Sequence, residues 1–269
     1  MILGRFNMEY LVCVKEVPKG TKVKLDPVTH NLIREGTAKT INPADLNALT
    51  FALKLKEKTG GRVTVMTMGP DSAADSIRKC YAMGADRGYV ISGRCFAGSD
   101  TLATAYTLAL GARHIGDFDV IFTGNQTIDG DTGQVGPELA ENLGINQVTY
   151  VEDIDCEDGK FKVKRQNSEG EELVEVKSPV VFTIVRNANI VKIPKKDEIE
   201  AYADSEVTII GQEDLDLEMC RVGVEGSPTV VDSIFEGEKL EVGTMVEGDS
   251  DEKIDSILEI LLDKGFIGR

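Results

Sequence analysis

DVIFTGNQTIDGDTGQVGPELAENLG, Asp119 to Gly144, is the stretch from which the fold of this chain is read. Asp119 to Thr123 is an apolar run too short for a helix and closed by Gly124, which predicts a buried strand. A glycine-punctuated polar loop follows from Gly124 to Gly133. An amphipathic helix is then predicted from Asp131 or Thr132, with Val135, Leu139 and Leu143 on one face and Gly144 as its stop. Strand, loop and helix N-terminus together present free backbone N–H groups and the positive end of a helix dipole, a geometry suited to phosphate or diphosphate. The loop matches neither the Walker pattern nor GxGxxG, and neither occurs elsewhere in the chain. Asp129 and Asp131 would repel a phosphate unless they face away, cap the helix or bind ribose hydroxyls. Two readings stand: an ordinary strand-to-helix turn with Asp131 as N-cap, or a ligand loop. The density of polar side chains (Asn125, Gln126, Thr127, Asp129, Asp131, Thr132, Gln134) favours the second, because a structural turn does not need so many.

The chain around this stretch is 269 residues long, enough for one large domain or a domain with a substantial appendage. Its 41% hydrophobic and 28% charged content is that of a globular protein and not of a disordered one. A net charge of −16 argues against a nucleic-acid partner, since nothing could neutralise phosphates in number. The five cysteines (Cys13, Cys80, Cys95, Cys156, Cys220) are widely spaced and never paired as CxxC, which fits reduced, mostly buried thiols of a cytoplasmic protein and no metal site. With only His30 and His114, a histidine triad or multi-histidine metal site is disfavoured. MILGRFNMEYLVCV lacks an export-signal core and cleavage site, and Met8 is a second candidate start. No apolar run approaches membrane-spanning length.

Tyr10 to Val17 is predicted as the first strand. Lys19 to Thr40 suggests a small hairpin, with Val23 and Leu25 in one arm, Asp26-Pro27 turning, and Leu32 to Arg34 returning. Asn42-Pro43 opens a helix to about Thr59, with Leu46, Leu49, Leu53 and Leu55 apolar. Arg62 to Met68 is a second strand, followed by Gly69-Pro70 and a helix from Asp71 to Met83. Gly88 to Ser92 is a third strand; SGRCFAGSD then leads into a helix from Thr101 to Ile115, capped by Ser99 or Asp100. Gln147 to Val151 is a fifth strand after the quoted stretch. This alternation implies a doubly wound, mostly parallel α/β sheet, in which a ligand sits beyond the carboxyl ends of the strands where strand order reverses. Loops at Cys13 to Lys15, Met68 to Pro70, Gly93 to Thr101 and Gly124 to Gly133 all fall on that edge. Each alone is a routine connection; their convergence points to a nucleotide.

From Glu152 the character changes. Ile154 to Arg165 and Glu171 to Val176 read as a two-stranded excursion, and Val180 to Val185 as a strand returning to the core. Residues 1–186 are thus expected to form the nucleotide-binding α/β domain. Residues 187–269 form an irregular acidic arm ending in an amphipathic helix through Ile254, Ile257, Leu258, Leu261 and Leu262. Such an arm either embraces a partner subunit or docks back on its own core.

Read as a whole, the chain from about Tyr10 to Arg186 resembles the beta subunit of electron transfer flavoproteins. The resemblance rests on LVCVKEVP (11–18), INPADLNAL (41–49), MGP (68–70), AMGAD (82–86) and GNQTIDGDTGQVGPELAENLG (124–144), in the family's order. It implies an adenine-nucleotide-binding α/β core, an obligate heterodimer with a larger alpha subunit, and electron carriage between flavin- and nicotinamide-dependent enzymes. Carried over, the nucleotide contacts are Cys13, Asn42, Pro43, Ala44, Asp45, Met68 and Gly69. To these the resemblance adds the run Gly124, Asn125, Gln126, Thr127, Ile128, Asp129, Gly130, Asp131, Thr132, Gly133, Gln134 and Val135.

The loop SGRCFAGSDTLAT (92–104) is similar to the SDRAFAGSDTLAT of the family's electron-bifurcating group, with Gly93 and Cys95 as departures. That likeness implies FAD where respiratory members hold AMP, with Arg94, Phe96, Ala97, Gly98, Ser99, Asp100, Thr101 and Thr104 as further contacts. It also implies NADH as hydride donor. One electron would then go to ferredoxin or flavodoxin and the other, through an FAD in the alpha subunit, to a flavin-dependent dehydrogenase. NANIVKIPKKDEIEAYADSEVTII (187–210) departs from the family's usual NEPRYPSLKGIMKAKKK where dehydrogenases dock, which implies an atypical partner; an acyl-CoA dehydrogenase is the default expectation and a flavin-dependent lactate-type dehydrogenase the alternative. A simple carrier with AMP, and a nucleotide-binding regulatory module without redox function, stay open.

Overall fold

The computed structural model describes residues 7–19, 24–25, 32–33, 38–157, 159–232, 243 and 245–268. Strand β1 (Glu9–Cys13) is fully apolar inward and central; β2 (Glu16–Pro18) and β5 (Lys39–Ile41) pair antiparallel beside it. The expected single strand from Tyr10 to Val17 is therefore broken. The Lys15 amide is taken by the Asp45 carboxylate at 2.8 Å, and this draws the chain out of the sheet. β3 (Lys24–Leu25) and β4 (Leu32–Ile33) pair antiparallel where a hairpin was expected, and its Asp26-Pro27 turn lies outside the described residues.

The βα alternation is as expected. Helix α1 (Pro43–Thr59) starts with proline at its first position and ends at Gly60, whose φ of 79° only glycine adopts freely. Then come β6 (Arg62–Met68), a one-turn helix Asp71–Ala73 running into α2 (Ala74–Met83), and β7 (Arg87–Ile91). Helix α3 (Thr101–Ile115) is capped by Asp100, which accepts from the Ala103 amide at 3.1 Å. β8 (Val120–Gly124) and α4 (Val135–Leu143) complete the quoted stretch.

Strand β9 (Asn146–Glu157) runs well past the predicted fifth strand, so the expected two-stranded excursion is a three-stranded one. β10 (Lys160–Asn167) and β11 (Gly170–Lys177) fold back antiparallel on its outer half. β12 (Val180–Ile184) returns to the centre. After a short helix α5 (Lys196–Glu200), β13 (Thr208–Ile210) pairs parallel with β7 as the sheet's edge. The reading of 187–269 as irregular misses this strand, which is three residues long and sits in an acidic stretch.

The nine-stranded sheet has the order β11-β10-β9-β12-β8-β1-β6-β7-β13 and is parallel from β9 to β13. Helices cover both faces. α1 and α2 bury Leu49, Phe51, Leu55 and Ile77 against one side, while α3 and α4 bury Ala105, Ala109 and Leu139 against the other. The chain winds outward from β1 through β6 to β7, then crosses back to β8 on β1's other flank. Strand order thus reverses between β1 and β8, and a crevice opens at their carboxyl ends. The chain divides into two compact units, Met1–Asp232 and Ser233–Arg269. The second carries α6 (Ser250–Asp263), whose N-cap Asp249 forms a capping box with Glu252.

The core's centre is aromatic. Phe182 of β12 is fully buried, with ring centroids 5.6 Å from both Phe122 and Phe161. Phe182→Ala is expected to cost about 3–5 kcal/mol, because the central strands cannot collapse into the void. The urea unfolding midpoint measures this.

Candidate functional site

Asp45 organises the crevice. It sits in the first turn of α1 and is 4% exposed. One carboxylate oxygen accepts the Lys15 amide at 2.8 Å, and the other accepts the Gly124 amide at 3.0 Å and the Asn42 side-chain amide at 2.9 Å. The ends of β1 and β8 are thus bolted to the start of α1 by one group. Gly124 is required there, since a Cβ would lie 2.3 Å from the carboxylate and 2.8 Å from the Ala44 methyl.

Asn42, wholly buried, suspends the loop that follows. Its side-chain amide also donates to the Gln126 carbonyl at 3.0 Å, and its carbonyl oxygen accepts the Ile128 amide at 3.3 Å. The Asn125 amide donates to the Ile184 carbonyl at 2.8 Å, tying the loop to β12. The two acidic side chains that threatened phosphate binding are engaged within the loop. Lys15 Nζ lies 2.9 Å from Asp129, and Gln126 donates to Asp131. Burial pushes the Asp129 carboxyl up, but the hydrogen bond and charge of Lys15 outweigh it and leave the group below its ordinary value.

Helix α4 begins at Val135 and not at Asp131 or Thr132, and its N-cap position, Gln134, makes no side-chain cap. Asp131 is therefore not the N-cap. It lies at φ 54°, and Gly133 at φ 68° turns the chain again before the helix can start. Of the expected contacts, Asn42, Ala44 and Asn125 to Ile128 line one cleft of about 180 Å³ together with Asp131. Arg186, at the end of β12, lines it too. Its guanidinium makes no hydrogen bond or ion pair among the described residues. Sequence reading used Arg186 only as a domain boundary; a lone cation at a strand's carboxyl end, beside the reversal, was the signal.

Others of the expected contacts lie at the ends of β1 and β6 and around the N-terminus of α3. Met68 ends β6 half-buried, and the Gly69 amide donates to the Ile91 carbonyl. Cys13 and Phe96 point into the core, where burial pushes the Cys13 thiol up to about 12. Arg94, Ala97 and Gly98 are exposed, and Thr104 is half-buried one turn into α3. Ser99 and Asp100 are already engaged. The Ser99 hydroxyl donates to the Phe96 carbonyl and accepts the Gly223 amide, while Asp100 accepts both the amide and the hydroxyl of Thr229. The clusters meet where the Thr101 hydroxyl lies 3.5 Å from Gln134 and 3.2 Å from Glu138. Glu138 was not foreseen. Its second carboxylate oxygen is buried without a partner among the described residues, and burial raises its pKa.

The arrangement offers backbone amides at α4, a free guanidinium and a floor of side-chain amides, which together suit an adenosine phosphate. The cleft is smaller than the roughly 300–1,000 Å³ of a complete small-molecule site, so this chain encloses only part of a dinucleotide.

The profile of the electron transfer flavoprotein domain matches residues 29–207. The electron transfer flavoprotein subunit beta of Thermoanaerobacterium thermosaccharolyticum is 42% identical over 255 residues, spanning 94% of this chain and 98% of its own. Subunit CarD of the caffeyl-CoA reductase-Etf complex of Acetobacterium woodii is 42% identical over 262 residues, 97% of this chain and all of CarD. Protein FixA of Azorhizobium caulinodans is 41% identical over 249 residues, 89% of each chain.

Burial raises the Asp45 carboxyl from 3.8 to about 6 against the pull of its three donors. The folded protein therefore holds a proton that the unfolded chain has lost between about pH 4 and pH 6. This contribution to stability is complete below pH 3.8 and is lost as pH rises through 6. Asp45→Asn is expected to remove that component of the pH–stability profile. It should also cost about 1–3 kcal/mol, because its new N–H group faces the Lys15 donor. Urea titrations from pH 4 to pH 8 read both effects.

Proposed function

This chain belongs to the electron transfer flavoprotein family as a beta subunit, and from that premise we propose that it is one of the electron-bifurcating kind. In this reading it holds FAD at the β1–β8 crevice and takes hydride there from NADH. One electron goes to ferredoxin or flavodoxin and the other, through FAD in the alpha subunit, to a flavin-dependent dehydrogenase of acyl-CoA or lactate type. The observation that carries the reading is the crevice itself. Arg186, unpaired among the described residues, lines one cleft with Asn42 and the loop Asn125 to Ile128, and the acidic neighbours Asp129 and Asp131 are already engaged.

When bound, FAD supplies hydride acceptance and single-electron release. The chain's own residues bind and orient. Amides from Thr132 to Val135 receive the diphosphate at the positive end of α4, and Arg186 offsets its charge. Asn42 and Gln126 hold the floor, and the rim from Arg94 to Thr104 holds the flavin-bearing half. No nucleophile or general base is called for in this reading, and the Cys13 thiol is buried and pushed to about 12. A half-enclosed cleft supports completion of the site by the alpha subunit.

The dehydrogenase contact is supported by a clasp. Asn47, 3% exposed on α1, donates to both the backbone and side-chain oxygens of Asn189 at 2.9 Å and accepts the Asn187 amide at 3.1 Å. Just beyond, Ile190 and Ile193 are 94% and 74% exposed. An anchored turn carrying bare apolar side chains fits a docking segment.

One observation favours a second reading, a simple carrier with AMP: Ser99 and Asp100, expected to receive flavin, spend their side chains on the 223–229 segment. Flavin stoichiometry of the co-purified heterodimer decides between them. Two FAD per heterodimer, reducible by NADH, is the expected result. One FAD with extractable AMP establishes the carrier, and no flavin at all removes both readings.

A further inference from the structure

Resting on the nucleotide reading above, we infer that Asn47 is a positioning residue that acts through Arg186. By gripping the main chain just after Arg186 it keeps that guanidinium at the cleft for a phosphate, and it links occupancy of the cleft to order in the turn at 187–193.

Asn47 lies in the second turn of α1 and is 3% exposed. Asparagine is a poor helix former, and a buried side-chain amide is costly unless bonded, so α1 by itself gains nothing from it. Its side-chain bonds all go to one turn. The amide group donates to the Asn189 carbonyl and to the Asn189 side-chain oxygen, both at 2.9 Å. Its side-chain oxygen accepts the Asn187 amide at 3.1 Å, and its main-chain carbonyl accepts the Asn189 side-chain amide at 3.0 Å.

That turn begins where the cleft ends. β12 closes at Ile184, whose carbonyl accepts the Asn125 amide of the cleft loop at 2.8 Å, and the Val185 amide donates to the Val151 carbonyl at 3.0 Å. Arg186 lines the cleft, and the chain turns directly after it, with Asn187 at φ 67°. The main chain around the cation is thus pinned by β9 on one side and by Asn47 on the other. Ala188 packs against the core and so anchors the connection already; the bonds to Asn47 add a fixed orientation. A long cationic side chain loses rotamer freedom when it takes an anion, and a pinned backbone confines the loss to that side chain. The start of α1 therefore sets both the floor of the cleft, through Asn42, and its cation, through Asn47. Beyond the clasp the same turn carries Ile190, 94% exposed. A ligand that needs Arg186 in place opposes local opening of the clasp, so it steadies the turn as well.

The test uses the heterodimer with its alpha subunit, freed of nucleotide. Calorimetric titration with AMP and with adenosine gives the factor by which the phosphate tightens binding. Arg186→Gln is expected to lower that factor about tenfold. Asn47→Ala should lower it severalfold, and the double variant no further than Arg186→Gln alone. In the wild-type protein, hydrogen exchange at residues 187–193 should slow with AMP and not with adenosine, and Asn47→Ala should abolish the slowing. Equal losses for AMP and adenosine in Asn47→Ala, or losses that multiply in the double variant, overturn the inference and leave Asn47 a structural clip. An unchanged phosphate factor in either single variant overturns it too, while AMP binding itself keeps the nucleotide reading standing. A wild-type heterodimer that takes up neither AMP nor FAD overturns both. Should Asn47→Ala fail to fold, exchange in the wild-type protein decides, and AMP leaving 187–193 unchanged overturns the inference.

Discussion

One buried carboxylate sets the geometry on which the rest of this molecule depends. At the reversal of a wound sheet, neighbouring strands end side by side with their outer amides unpaired, and water cannot reach them once a helix packs overhead. Asp45 resolves this by accepting the Lys15 and Gly124 amides at once, with Asn42 as third donor. Burying a carboxylate is costly, and the three donors offset the cost only while all stay in place. Strand β1, strand β8 and helix α1 consequently keep one mutual geometry, and the crevice between them cannot close.

A second set of bonds fixes the other half of the rim. The loop before α3 is stitched to residues 223–229 through Ser99, Asp100, Ser227 and Thr229. Val224 closes over Gly98 so tightly that a Cβ on that glycine would lie 2.5 Å from its methyl. Main chain beyond the last strand thereby becomes part of the wall around α3. Hydrogen bonds from Thr101 toward Gln134 and Glu138 join the two halves, and each half is held by a different part of the chain.

Most of the architecture was legible because its signals are local. Asn42-Pro43 opens a helix by proline's own dihedral, glycines stop four of the helices, and the apolar runs are strand-length. The wound parallel sheet follows from that rhythm, and the main rim loops from the sheet. What escaped was decided by tertiary partners. The first strand breaks at Lys15 because a residue 30 positions away captures its amide. Gly133 delays α4 and so denies Asp131 its capping role. β13 exists only because β7 offers it an edge. Arg186 was invisible for the same reason: it belongs to no motif and matters through the cleft it lines, which sequence spacing does not reveal.

The placement of strain connects these findings. A fold optimised only for stability would put glycine or asparagine where φ is positive, and twelve glycines among the described residues do occupy such positions. The exceptions at 131, 150 and 187 flank Gly133 and Arg186. Two carry side chains whose short polar groups tolerate the conformation, but Tyr150 has no such excuse and needs Thr183 and Arg165 to hold it. Stability conceded at that position yields nothing to the core, because the ring is exposed. The bulge is instead held by its two neighbouring strands, at the same carboxyl edge of the sheet whose geometry Asp45 fixes.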